Sequence, residues 1–184
     1  MATAASTFWR LAHGIDDRRV VPDRQAKSLS HETTFARDLT DIESLRFRLR
    51  ELIDQVGRRL RRISRYGRTV QIKLRLSDFR TITRSRSLPR PSDITAELWE
   101  VAGELLDSAL PPATLTRGIR LIGLAVSGLA ALQPTQQLLF ADTATAQHQR
   151  QRHLDQVTDA IQGRFGRNSL TTATSLAKPV ERSS

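Results

Sequence analysis

From Thr69 to Leu76 the chain alternates without a break. Val70, Ile72, Leu74 and Leu76 are apolar, while Thr69, Gln71, Lys73 and Arg75 between them are polar or cationic. Successive side chains of a strand point to opposite sides, so this segment predicts a strand with one oily face and one cationic face. The oily face needs a cover and the cationic face does not, which calls for a sheet packed on one side only. A Ser77-Asp78 turn signal follows. Beyond it Arg80, Arg84 and Arg86 stand among serines and threonines and predict the second strand of a hairpin. Ile82 shares parity with those arginines, which a bulge or an edge position of this strand would reconcile.

The flanking segments supply the cover. Thr40 and Glu43 fit a capping box, and behind them Leu45, Leu49, Leu52, Ile53, Val56, Leu60 and Ile63 recur at helical spacing. Arg46, Arg50, Arg58, Arg59, Arg61 and Arg62 fall on the rest of this helix and at its end, where a solvated basic face accounts for most of them. A second helix is expected from Ile94 to Leu110, ended by Pro111 and Pro112. Lys27 to Phe35 and Arg117 to Ala130 read as the first and last strands. The resulting order predicts an α+β domain of the ferredoxin-like split βαββαβ type, a four-stranded sheet with two helices on one face. Residues 1–25 read as a tether with a short helical start and residues 26–132 as the folded domain. Residues 133–184 read as a flexible tail containing a short amphipathic helix, with Leu154, Val157, Ile161 and Phe165 on one side.

Charge narrows the partner. The 184 residues carry 29 Lys and Arg against 19 Asp and Glu, a formal net charge of +10. Such a balance points to a polyanion: nucleic acid, an anionic membrane surface or an acidic protein. No apolar run approaches the roughly 20 residues that a membrane helix needs, and the N-terminus lacks a secretory layout, so a soluble cytoplasmic chain is expected. The sequence has no cysteine, which excludes disulfides and thiolate chemistry. His13, His31, His148 and His153 are scattered without metal-ligand spacing, so neither a catalytic residue nor a metal ligand is assigned.

A bare sheet face of hydroxyls, amides and cations offers donors along an extended line, which suits the regular phosphates of a nucleic-acid strand. Sheets that read single-stranded RNA place aromatics on their central strands for stacking. Only 5% of this chain is aromatic and the expected open face has none, so tracking of the backbone fits better than reading of bases.

The blocks KSLSHETTF, RTVQIKLRLSDFRTITRSRSL and RGIRLIGLAVSGL, in this order around two helices, resemble the little-finger domain of Y-family DNA polymerases, the bacterial DNA polymerase IV group in particular. FWRLAHGIDDRRVVPDR resembles the end of the thumb and the tether before that domain, and QQLLF is similar to the sliding-clamp-binding peptide in the tails of such enzymes. The resemblance implies a non-catalytic part of a translesion polymerase, involved in DNA repair and damage tolerance. It would grip primer-template or duplex DNA by both backbones, largely independent of sequence, in the cytoplasm at the nucleoid. By residue, it implies DNA contacts at Lys27, Ser28, Ser30 and Arg120, while Ala125 stands where some relatives carry another basic residue. Thr69, Lys73, Arg75, Thr81, Thr83, Arg84 and Arg86 of the hairpin are the further DNA-binding candidates. Gln136, Leu139 and Phe140 would enter the clamp. The resemblance implies no cofactor in this chain. Magnesium belongs with acidic ligands of a palm domain, so a palm- and thumb-bearing polymerase chain joins the expected partners. Two other readings stay open: a clamp-interacting protein whose basic domain is incidental, and an RNA-binding ferredoxin-like domain.

Overall fold

A computed structural model describes residues 4–19, 26–131, 143–166 and 169–170. The short helix expected at the start is α1 (Ala4–Ala12), on which Phe8 and Trp9 are exposed. Past the tether, β1 (Ser28–Leu39) begins one residue after the expected Lys27 and runs beyond Phe35, to Leu39. It is followed by α2 (Ile42–Arg62), β2 (Gly67–Leu76), β3 (Thr81–Ser92), α3 (Thr95–Ala109), a single turn α4 (Pro112–Leu115) and β4 (Ile119–Ser127).

Every neighbouring pair in the sheet is antiparallel, in the order β1-β4-β2-β3. Two split βαβ units therefore interlock: β1 and β2, joined through α2, flank β4, and β3 and β4, joined through α3, flank β2. The expected α+β arrangement is present, with β4 and β2 at the centre and β3 at an edge. Helix α2 lies over β1 and β4, and α3 over β2 and β3. Between layers, Leu45, Leu49, Ile53, Val56 and Leu60 of α2 and Leu98, Ala102 and Leu106 of α3 close on Val70, Ile72, Leu74, Ile122, Leu124 and Val126. Removing such side chains from water is the main force holding helices to sheet.

Helix starts depart from the capping expectation. The cap of α2 is Asp41, one residue beyond Thr40, and its carboxylate accepts from the backbone N–H groups of Glu43 and Ser44, the latter at 2.9 Å. Glu43 is left to pair with Arg46. At α3 the cap residue is Ile94, which has no side chain able to serve.

A further helix, α5 (Thr143–Phe165), includes residues expected to be flexible tail and extends the short amphipathic helix toward the N-terminus. It meets the domain through its polar side. Asp155 accepts a hydrogen bond from the backbone N–H of Thr95 at 2.8 Å, giving α3 the N-terminal acceptor that Ile94 lacks. Arg61, at the end of α2, pairs with Asp155 at 3.1 Å and Asp159 at 2.6 Å, and also donates to the Asp93 carbonyl and Thr95 Oγ1. His148 meets Glu97 at 2.7 Å, and the Arg152 guanidinium lies over the Tyr66 ring. Leu154, Val157 and Phe165, the apolar side, face solvent instead. Among the described residues no helix is long and apolar enough to cross a membrane.

The β2–β3 hairpin turns through Ser77, Asp78 and Phe79. The Phe79 N–H donates to the Leu76 carbonyl at 3.0 Å, and the Leu76 N–H donates to the Arg80 carbonyl at 2.9 Å. Phe79 itself sits at φ 65°, in the left-handed region where such a turn ordinarily takes glycine. Holding a bulky L-residue there costs about 1–2 kcal/mol.

Candidate nucleic-acid interface

Strand pairing assembles the open face row by row. Residues directly opposite in an antiparallel ladder share a face, so one row holds Ser28, Ser127, Thr69 and Ser87, and the next Ser30, Ala125, Gln71 and Ser85. The third row is Glu32, Gly123, Lys73 and Thr83, and the fourth Thr34, Leu121, Arg75 and Thr81. Thr69 and Ser87 hydrogen-bond through their hydroxyls at 3.0 Å, and Arg75 Nε reaches Thr81 Oγ1 at 3.4 Å, both across the same surface. No helix covers these rows among the described residues, and none of their side chains is aromatic.

Most of the candidates drawn from the sequence meet here. Ser28, Ser30, Thr69, Lys73, Arg75, Thr81 and Thr83 lie on the open face, and Lys27 is exposed just ahead of the first row. Arg84 and Arg86 do not join them. They pair with Ile72 and Val70, whose side chains enter the core, and so emerge on the helix side of β3. The edge position permits this: Arg86 bonds Glu104 of α3, and Arg84 donates to the Thr83 carbonyl at 3.1 Å. Ile82 shares this side, which answers the parity conflict in the sequence. Arg120 sits in the irregularity between β2 and β4, between Leu121 and Ile119, with its guanidinium 4.9 Å from the Phe79 ring centroid. Ala125 occupies the second row, between Ser30 and Gln71. Gln136, Leu139 and Phe140 lie outside the described residues.

Two residues of the site were not assigned to it from the sequence. Glu32 occupies the open face and accepts from Lys73 Nζ at 3.0 Å. Strand β4 runs between them, and the pair closes because the intervening residue is Gly123; a Cβ there would stand 3.0 Å from Glu32 Cβ. Its parity with Ser28 and Ser30 was the available signal. Arg59 of α2 reaches over the edge of β1 and donates to the Ser30 carbonyl at 3.2 Å, which no spacing rule would show. The remaining helix arginines are largely engaged in the structure, as with Arg46 to Asp107, Arg48 to Glu51 and Arg50 over the Trp99 ring.

At the hairpin end, Asp78 is shared by Arg80 at 2.9 Å and Arg117 at 3.9 Å. The Arg80 backbone N–H is the main group holding its carboxyl below the usual range. One carboxylate thus answers two guanidiniums, with Arg75 and Arg120 close by in the sheet. Among the described residues no cluster of His, Cys, Asp or Glu could hold a metal ion. The open face itself offers hydroxyl and amide hydrogen bonds together with the positive charge of Lys73 and Arg75.

Comparison with known proteins matches this domain to the impB/mucB/samB family C-terminal domain over residues 26–140. DNA polymerase IV of Desulfatibacillum aliphaticivorans is 35% identical over 167 residues, which is 90% of this chain and 41% of that protein. DNA polymerase IV of Streptomyces coelicolor is 41% identical over 137 residues, 74% of this chain and 27% of that one. The chain thus spans less than half the length of either relative. Among solved structures, a Y-family DNA polymerase chimera superposes with a TM-score of 0.52 at 17% identity, over 70% of this chain and 36% of the chimera.

Proposed function

The chain belongs to the impB/mucB/samB C-terminal domain family, and from that premise we propose that it is the DNA-holding part of a Y-family DNA polymerase, whose open sheet face grips the two backbones of primer-template DNA without reading sequence. The observation that carries this is the composition of the rows: hydroxyls and amides along β1, β2 and β3, with Lys73 and Arg75 on a central strand and no stacking aromatic. Hydroxyls and cations at strand spacing can each meet a phosphate oxygen, the contact that positions a protein on nucleic acid without reading its sequence. The absence of aromatics from the open face also disfavours an RNA-reading sheet, since Phe35, the aromatic of β1, packs against the core. In a complete polymerase the domain would hold DNA while a palm elsewhere carries out nucleotidyl transfer, in the service of translesion synthesis.

The test is fluorescence anisotropy of this chain with a labelled primer-template duplex across a salt series. With about four to six phosphates neutralised, log affinity should fall against log salt with a slope of about −4 to −5. An affinity indifferent to salt would sink the proposal.

We further propose that Gln136, Leu139 and Phe140 bind a sliding clamp, the glutamine at a pocket rim and the apolar pair inside it. Support comes from the sequence QQLLF immediately beyond the sheet domain. Deleting Gln136 to Phe140 should abolish binding to immobilised clamp and leave duplex affinity within about twofold, since these residues lie outside the phosphate-contacting set and make no net charge. Equal loss of both would merge the two functions into one surface.

A further inference from the structure

The β2–β3 turn carries a residue that backbone economy does not explain. Glycine would occupy the φ 65° position of Phe79 without steric cost, yet the chain places a phenyl ring there and leaves the residue 64% exposed. Burial therefore cannot be the return on the strain. The ring is nonetheless held in place: the Arg120 guanidinium lies 4.9 Å from its centroid, and the turn below is pinned by the Ser77 N–H to the Gly118 carbonyl at 3.1 Å and by Arg80 N–H to Asp78 at 3.0 Å. An arginine stacked on an aromatic ring fixes one side of it and leaves the other available.

Location gives this ring a ligand. It stands beyond the fourth row of the open face, next to Arg75, with Arg80 and Arg117 sharing one carboxylate beside it. A chain of phosphates drawn along the sheet would pass that cationic end, and the face of an unpaired base is the part of a nucleic acid that an exposed ring can take. Base-paired DNA hides those faces in its own stack, so the ring would engage only where pairing ends.

We propose that Phe79, backed by Arg120 at the tip of the β2–β3 hairpin, is a stacking platform for an unpaired base of DNA held on the open face. The inference rests on the DNA-binding reading above and adds to it a site that distinguishes single-stranded from paired DNA. Any base would serve, because stacking on a phenyl ring is tolerant of sequence.

The experiment compares anisotropy titrations of three labelled DNAs at one salt concentration: a blunt duplex, the same duplex with a short single-stranded overhang, and that overhang built from abasic sugar-phosphate. The full chain should bind the based overhang about tenfold more tightly than the blunt duplex, the effect expected of one stacked base. Phe79→Ala should erase that gain, Phe79→Trp should keep it, and the abasic overhang should lack it with the unaltered chain. Because the ring is exposed, circular dichroism of Phe79→Ala should match the parent. A gain that survives Phe79→Ala, or that the abasic overhang also shows, would overturn the stacking site while leaving duplex binding intact. Failure of every DNA to bind would overturn the sheet-face reading and this inference together.

Discussion

The double variant Lys73→Glu/Arg75→Glu loses DNA binding by on the order of 100-fold at about 0.15 M salt. Each phosphate contact removed at that salt forfeits a factor of about five from counterion release, and each reversed charge adds repulsion on top. The log-log salt slope should become shallower by about 2 in parallel. Both side chains are only half buried on the uncovered face, so circular dichroism and melting should show the fold retained. The companion substitution is Glu32→Gln. It frees Lys73 from its 3.0 Å partner and removes a negative charge from the same row, so affinity should rise about fivefold with no new contact. A double variant that binds as the parent does would take the phosphates off this face altogether.

Replacing Arg61 with alanine should release α5 and lower stability by about 3 kcal/mol. Its side chain is 9% exposed and engages Asp155 and Asp159, themselves about one-fifth exposed, together with the Asp93 carbonyl and the Thr95 hydroxyl. Deleting the cation leaves two carboxylates close together in a partly dry setting, Asp155 keeping the Thr95 N–H and Asp159 keeping Arg58 at 3.4 Å. Lysine should rescue only in part, because it cannot present the planar fork that meets two carboxylates and a carbonyl at once. Hydrogen exchange by mass spectrometry provides the readout: amides of residues 147–165 should lose protection while those of β2 and β4 keep theirs. Unchanged protection of α5 would mean that its hold on the domain lies elsewhere.

Local patterns proved readable where one physical rule dominated. The alternation in β2 gave its pleat, and the 3.6-residue recurrence of Leu45, Leu49, Leu52, Ile53, Val56 and Leu60 gave the buried side of α2, because both follow from burying one side of a regular element. Ile63 fell outside that set, exposed at the C-cap of the helix. Where two neighbours were chemically equal, the choice went astray: Thr40 and Asp41 can both cap, and the carboxylate, which also takes the Ser44 hydroxyl at 2.7 Å, holds the position. The side on which Arg84 and Arg86 emerge was not legible for another reason. The side that a residue of β3 faces is set by its register on β2, and only the edge position makes a cation acceptable above the helix layer. The side of α5 that docks was hidden too, since the apolar spacing at Leu154, Val157, Ile161 and Phe165 marks a stripe of which Leu154, Val157 and Phe165 are exposed. The deciding pairs lie 94 and 98 residues apart, beyond any local pattern.

That separation bears on how the chain is made. The sheet can close once β4 has been synthesised, because all four strands and both covering helices are then present. At that moment Arg61 lacks its two acidic partners and Thr95 lacks the acceptor for its N–H, for Asp155 and Asp159 have yet to leave the ribosome. The junction of α2 and α3 is therefore completed last, by the arrival of α5, after the surface proposed to hold DNA has already formed.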